Sequence, residues 1–153
     1  MSVSRATMRT KPASAPAPIL GIGGLFPFVG LAITVGYGQA IGRFYALLAL
    51  SYYGAVILTF VGALHWGYAL KRNARGRDAW LQYAFSVAPA LMAWLSLLFP
   101  VWIALRLQAA GLLLCILFDR RMARLDPLPA WFFRLRIALT LVAAASLITA
   151  SVL

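Results

Sequence analysis

His65 is the single histidine of the 153-residue chain, and it lies inside a long apolar run about five residues from that run's basic end. In a membrane-spanning helix rising 1.5 Å per residue, this depth is about 8 Å. An ionisable side chain at such a level is a functional candidate, and an imidazole there suits a proton relay. The blander account is a neutral ring hydrogen-bonded across helices, because buried polar groups ordinarily find partners. Arg106 lies about 8 Å inside a second apolar run, counted from its other end. Its stem can snorkel outward, or its guanidinium can turn inward to bind an anion or a carbonyl. Asp119 closes the same run, at a helix C-terminus where the macrodipole disfavours an anion. A cation is required there, and Arg72 or Arg121 is at hand on that side; ion pairing is the plain reading and a proton or cation site the sharper one. His65 and Arg106 enter from opposite surfaces, about 12 Å apart along the normal of a ~30 Å core, so direct contact between them is not expected.

Other chemistries lack their residues. No second His or Cys stands at ligand spacing from His65, so no metal site is expected. The single cysteine, Cys115, excludes an intrachain disulfide and reads as a small buried hydrophobe. No acid–base pair or nucleophile–base set occurs in the apolar runs, and no cofactor is implied. The glycines of Gly21-Ile22-Gly23-Gly24-Leu25-Phe26-Pro27 look superficially like a nucleotide loop, but Phe26 stands where the third glycine belongs and no strand precedes it. Glycine-facilitated packing and a kink at Pro27 are the better readings.

The elements that must position these residues are membrane helices. With 63% apolar and 11% charged residues, the composition lies far from the soluble range. Five apolar runs approach the roughly 20 residues that a helix needs to cross the hydrocarbon. They are residues 19–37, 47–70, 80–99, 101–118 and 135–153. They lack the two-residue alternation of a transmembrane barrel, so the fold class is all-α, a polytopic bundle of five transmembrane helices in one domain over residues 19–153. Residues 1–18 carry Arg5, Arg9, Lys11 and an Ala/Ser/Pro tract, and read as a disordered basic cytoplasmic tail. The same composition also fits an organellar transit peptide; a cleaved secretory signal is not expected, since no A-x-A site closes the following run.

Orientation follows from the basic residues. Twelve of the 14 Lys and Arg fall in the tail, the second connection and the fourth connection, including Arg134 and Arg136 at the mouth of the last helix. The positive-inside rule then places the N-terminus in the cytoplasm and the C-terminus on the opposite side. The net charge of +11 serves topology and anionic lipid headgroups rather than nucleic acid.

Smaller features refine this frame. Ser51, Ala55, Thr59, Ala63 and Gly67 place a small residue at every fourth position of the second helix, a row that permits close packing of backbones in lipid. Phe99-Pro100 can only reverse the chain, making the third and fourth helices a hairpin. Pro89 removes a backbone hydrogen bond and is a candidate kink. Asp78 and Asp126 are candidate N-caps, for the third helix and for a short interfacial lead-in to the fifth. Trp80, Trp102 and Trp131 mark interfaces.

Several blocks then resemble a known family. Tyr53-Gly54-Ala55-Val56-Ile57-Leu58-Thr59-Phe60-Val61-Gly62-Ala63-Leu64-His65-Trp66-Gly67 resembles the most recognisable block of the bacterial membrane family called domain of unknown function 3429, itself similar to the core of eukaryotic transmembrane protein 69. Leu128-Pro129-Ala130-Trp131-Phe132-Phe133-Arg134-Leu135-Arg136 resembles its entry to the last helix, although Phe132 stands where Tyr is expected, so a hydroxyl there cannot be essential. Pro89-Ala90-Leu91-Met92-Ala93-Trp94 and Leu117-Phe118-Asp119-Arg120 fit as well. The resemblance implies an integral membrane bundle of a bacterial inner membrane, or of the mitochondrial inner membrane in a eukaryote, with no assigned activity. It singles out His65, Trp66, Trp131, Arg134 and Arg136.

The functional reading is therefore a non-enzymatic membrane component that packs against or helps assemble other membrane proteins, with membrane lipids, a membrane-protein partner or a second copy of itself as partners. The rival is a small oligomeric carrier or channel subunit using His65 and Arg106. An intramembrane enzyme comes third.

Overall fold

The computed structural model describes residues 16–71, 75–125 and 130–153, and all of its regular structure is helical. Six helical elements follow in order: α1 (Pro16–Gly23), α2 (Phe26–Tyr37), α3 (Ala40–Lys71), α4 (Gly76–Ser96), α5 (Val101–Leu125) and α6 (Ala130–Val152). α1 and α2 together form one broken span, so the architecture is a five-segment bundle. Four segments, Pro16–Tyr37, Ala40–Lys71, Val101–Arg121 and Ala130–Val152, are long and apolar enough to cross a membrane. α4 has the length, at 21 residues, but Gln82, Ser86, Pro89 and Ser96 dilute its apolar character. All four of these residues are buried. Its outward face carries Trp80, Leu81, Leu91 and Trp94 instead. The polarity of α4 thus points inward and its grease outward, the arrangement a lipid solvent favours.

Helix ends extend beyond the apolar runs. α3 starts at Ala40 rather than Leu47 and spans 32 residues, and α5 continues past Phe118 to Leu125. Hydropathy marks where lipid begins, whereas a helix continues through polar flanks as long as its backbone bonds are made. α6 begins at Ala130, so the expected interfacial lead-in is continuous with the last helix. α1 begins at Pro16, three residues into what reads as tail. Prolines are tolerated there because first-turn N–H groups have no intrahelical partner. The rest of the tail, together with Arg72 and Asp126, lies outside the described residues.

Two expectations about breaks and caps are corrected. The first span breaks at Gly24–Leu25, not at Pro27, which sits at the start of α2 where its missing N–H costs nothing. The Tyr53 hydroxyl donates to the Gly24 carbonyl at 2.8 Å, satisfying an acceptor near the break. Asp78 does not cap α4. The cap position is Arg75, the chain enters through Gly76 at φ 63°, and Asp78 falls in the first turn, where its charge still complements the dipole.

α3 is the central element, touching α2, α4, α5 and α6. Its buried face runs Leu50, Ser51, Gly54, Ala55, Leu58, Val61, Gly62, His65 and Ala69. Only Ser51 and Ala55 of the small-residue row belong to it; Thr59, Ala63 and Gly67 are exposed. The reason is geometric, since a step of four residues advances 400° around a helix and drifts about 40° off the packed face each time. Close approach is made elsewhere. A methyl group on Gly62 would stand 2.9 Å from the Pro89 ring, and one on Gly111 would stand 2.8 Å from Leu58. Pro89 is therefore a packing knob of a helix that continues through it, seated on the bare backbone of Gly62. α4 and α5 form the expected hairpin, with Ile103 N–H and Ala104 N–H bonded to the Pro100 carbonyl.

Candidate functional site

Polar side chains gather at three levels along the bundle, two of them buried and the third at its edge. The first gathers one residue from each of three helices. α3 turns His65 inward one turn past Gly62, α5 presents Asp119 one turn past the buried Cys115, and α6 brings Arg136. Arg136 lies on the face that continues through Thr140, Ala143, Ala144, Leu147 and Ser151. Arg136 donates to Asp119 Oδ2 from Nε at 3.1 Å and from Nη2 at 2.9 Å. His65 Nε2 stands 3.2 Å from the other carboxylate oxygen, Oδ1. That approach is a close charge contact rather than an aligned hydrogen bond; among the described residues neither ring nitrogen has an aligned partner. His65 is 2% exposed, Asp119 5% and Arg136 9%, so the group is desolvated as a unit.

Aromatic rings seal it. Phe85 of α4 stacks on Phe118 of α5 at 3.5 Å and 10°, and His65 presents an edge-on arrangement to both, at 5.3 and 5.0 Å. Tyr68, one turn on from His65, lies 6.4 Å away ring to ring. The arrangement is neutral with a neutral imidazole and carries one net positive charge with an imidazolium. Chemically it can tie three helices together and exchange charge state at His65. Among the described residues it holds no nucleophile placed against a base.

The second layer, toward the α4–α5 hairpin, is uncharged. Gln108 Nε2 donates to Ser51 Oγ at 3.3 Å and Ser96 Oγ at 3.0 Å, linking α5 to α3 and α4. Its Oε1 presses on the bare backbone of Gly54. Ser96 in turn donates to the Ala93 carbonyl at 2.7 Å. The third layer lies at the far end, where Arg106 donates from Nε to Ser151 Oγ at 3.2 Å and from Nη2 to the Ser151 carbonyl at 3.3 Å. Arg106 shares an exposed face with Trp102, Ala110 and Leu113, and its guanidinium serves the C-terminus of α6. It therefore snorkels.

The residues singled out from sequence thus divide. His65, Asp119 and Arg136 converge, while Arg106 lies at the other end and shares no contact with His65. The cation beside Asp119 is Arg136 rather than Arg121, which is exposed; Arg72 lies outside the described residues. Trp66 is 46% exposed and meets Tyr83 edge-on at 4.9 Å, on the outer side of α3 and α4. Trp131 is half-buried against Phe132, and Arg134 is exposed. Sequence reasoning missed the Asp119–Arg136 pairing and the Gln108 layer. The period of Arg136, Thr140, Ala143, Leu147 and Ser151 was the available signal for the first, and Gln108 as an amide deep within an apolar run was the signal for the second.

Long apolar helices with lipid-facing grease and an inward polar core define a polytopic helical membrane protein. The chain belongs to the family described as protein of unknown function (DUF3429), which it matches over residues 13–152. It is similar to transmembrane protein 69 of Xenopus tropicalis, 38% identical over 142 residues covering 90% of this chain and 54% of the relative. It is also similar to transmembrane protein 69 of Mus musculus, 28% identical over 138 residues covering 90% of this chain and 56% of the relative. The chain thus spans about half the length of the curated relatives it matches. No solved structure matches.

Proposed function

We propose that this chain is a non-enzymatic component of a bacterial inner membrane, or of the inner mitochondrial membrane in a eukaryotic setting, that docks against the transmembrane helices of another membrane protein. The observation that carries this reading is an outward groove of about 390 Å³ between α3 and α4. Its floor is made of Ala55, Thr59, Ala90 and Ala93, and Tyr52 and Trp94 stand at its sides. Small residues let a partner backbone approach closely, which is how helices associate where lipid removes the hydrophobic drive. From Thr59 the exposed part of the small-residue row continues along α3 through Ala63 and Gly67, where a side chain at Gly67 would meet nothing within 4 Å. In this reading the end bearing Lys71, Arg75, Arg77, Arg120, Arg121 and Arg134 faces the cytoplasm, or the matrix, and the C-terminus lies opposite.

The test is extraction of the tagged chain in lipid-retaining particles, with mass spectrometry of what co-purifies. A stoichiometric membrane partner lost on Ala90→Leu, in a chain that still extracts as a folded species, is the expected result. Absence of any stoichiometric partner, or a partner indifferent to Ala90→Leu and Thr59→Leu, contradicts it.

A further inference from the structure

We propose that the cleft between α1, α3 and α6 binds an anionic phospholipid, its phosphate meeting Arg136 and an acyl chain filling the apolar space beside it. The site lies away from the α3–α4 groove and does not depend on the assembly reading. Two adjoining cavities, of about 300 and 150 Å³, share Leu20, Gly21, Phe60, Leu139 and Arg136 in their walls. The outer one reaches Ala17 and Phe132, toward the basic end, and the inner one reaches Phe28 and Ala143. Along α6 the pair extends over 12 residues, from Phe132 to Ala143, or about 16 Å at the helical rise. That is an elongated slot running with the helix axis, the shape of a lipid tail.

Its chemistry is equally specific. Apart from Thr140 and Arg136 the walls are apolar, so water gains few partners there, and a soluble anion gains nothing from the walls beyond Arg136. Arg136 is more than nine-tenths buried, and Asp119 engages its Nε and Nη2. Nη1 makes no hydrogen bond among the described residues, and Arg136 stands in the wall of both cavities. The surrounding bundle end exposes Lys71, Arg75, Arg77, Arg120, Arg121 and Arg134, with Asp78 as the exposed acid among the described residues there. Such a surface enriches anionic lipid over zwitterionic lipid. A tail can enter sideways. α1 buries none of its eight residues, ends at the Gly24–Leu25 break, and leaves Leu20 and Phe60 74% and 61% exposed at the mouth.

The experiment delipidates the purified full chain in detergent and offers it mixed vesicles of phosphatidylglycerol and phosphatidylcholine with matched acyl chains. Native mass spectrometry then reads the retained lipid. The expected result is one phosphatidylglycerol per chain, favoured about tenfold over phosphatidylcholine. Leu139→Trp, which blocks the slot without touching the ion pair, abolishes retention while circular dichroism and gel filtration stay unchanged. Because Arg136 alone cannot be neutralised safely, the paired variant Asp119→Asn with Arg136→Gln removes both charges and is expected to lose the preference between the two lipids. Equal retention of both lipids by the wild type overturns the proposal, as does undiminished phosphatidylglycerol retention by Leu139→Trp. Capture of a second copy of the chain, instead of lipid, by a cross-linker on Leu20→Cys also overturns it.

Discussion

Arg136 and Arg106 pose the same physical problem and solve it differently. Each lies about one and a half turns inside a long helix, at opposite ends of the bundle. Arg136 turns inward onto the carboxylate of Asp119 and is almost wholly buried, whereas Arg106 faces outward and serves the end of α6. What separates them is the facing element. α5 supplies an acid one turn beyond Cys115, and α3 adds His65 to its other oxygen; at the far end α6 supplies only a hydroxyl and a terminal carbonyl. A guanidinium without an anion stays near the interface, where its stem lies along apolar surface and its head stays wet. With a desolvated anion it stays inside, and the pair then locks the helices that carry it, because a single partner left behind would be an uncompensated buried charge.

The contrast can be broken by substitution, and the largest effect belongs to the buried end. Asp119→Ala, or Arg136→Ala, strands one charge and is expected to cost about 3–5 kcal/mol, read as a collapse of the thermal midpoint in detergent or a failure to accumulate in membranes. Gly62→Leu comes next. It forces a side chain into Pro89, separating α3 from α4, and overpacking of this kind costs about 1–3 kcal/mol. The check is a lowered midpoint with the secondary structure retained at low temperature. Gln108→Ala removes the buried bonds to Ser51 and Ser96, which in a membrane are worth about 1 kcal/mol together, measurable by steric-trap or denaturant unfolding in bicelles. Arg106→Ala is the mildest, since it removes a helix-terminal cation worth about 0.3–1 kcal/mol and leaves Ser151 its own bond to the Ile148 carbonyl at 2.7 Å. If Arg106→Ala were as damaging as Arg136→Ala, the distinction between the two ends would vanish.

Much of the fold was legible because the bilayer imposes it. Run length sets the spans, Phe99-Pro100 sets a hairpin, and the separation of His65 from Arg106 follows from depth alone. The register between helices was not legible. Asp119 has Arg121 close in sequence, yet Arg121 sits 200° around α5 by the helical step and is exposed, so the pairing fell to a residue 17 positions away. The small-residue row on α3 misled for a related reason. Four-residue spacing is not the helical repeat, so its first half packs inside while Thr59, Ala63 and Gly67 drift to the surface. The Gly62–Pro89 contact escaped because nothing in an apolar run says which residue of another helix will face its proline.

The most direct test of this account is a double-mutant cycle on Asp119 and Arg136, using Asp119→Asn, Arg136→Gln and the pair, with stability read by unfolding in bicelles. The account predicts that the double variant is no less stable than the weaker single variant, a coupling of about 2–3 kcal/mol between two residues on different helices. Losses that simply add would mean that the two charges do not share a site, and the buried cluster would have to be abandoned.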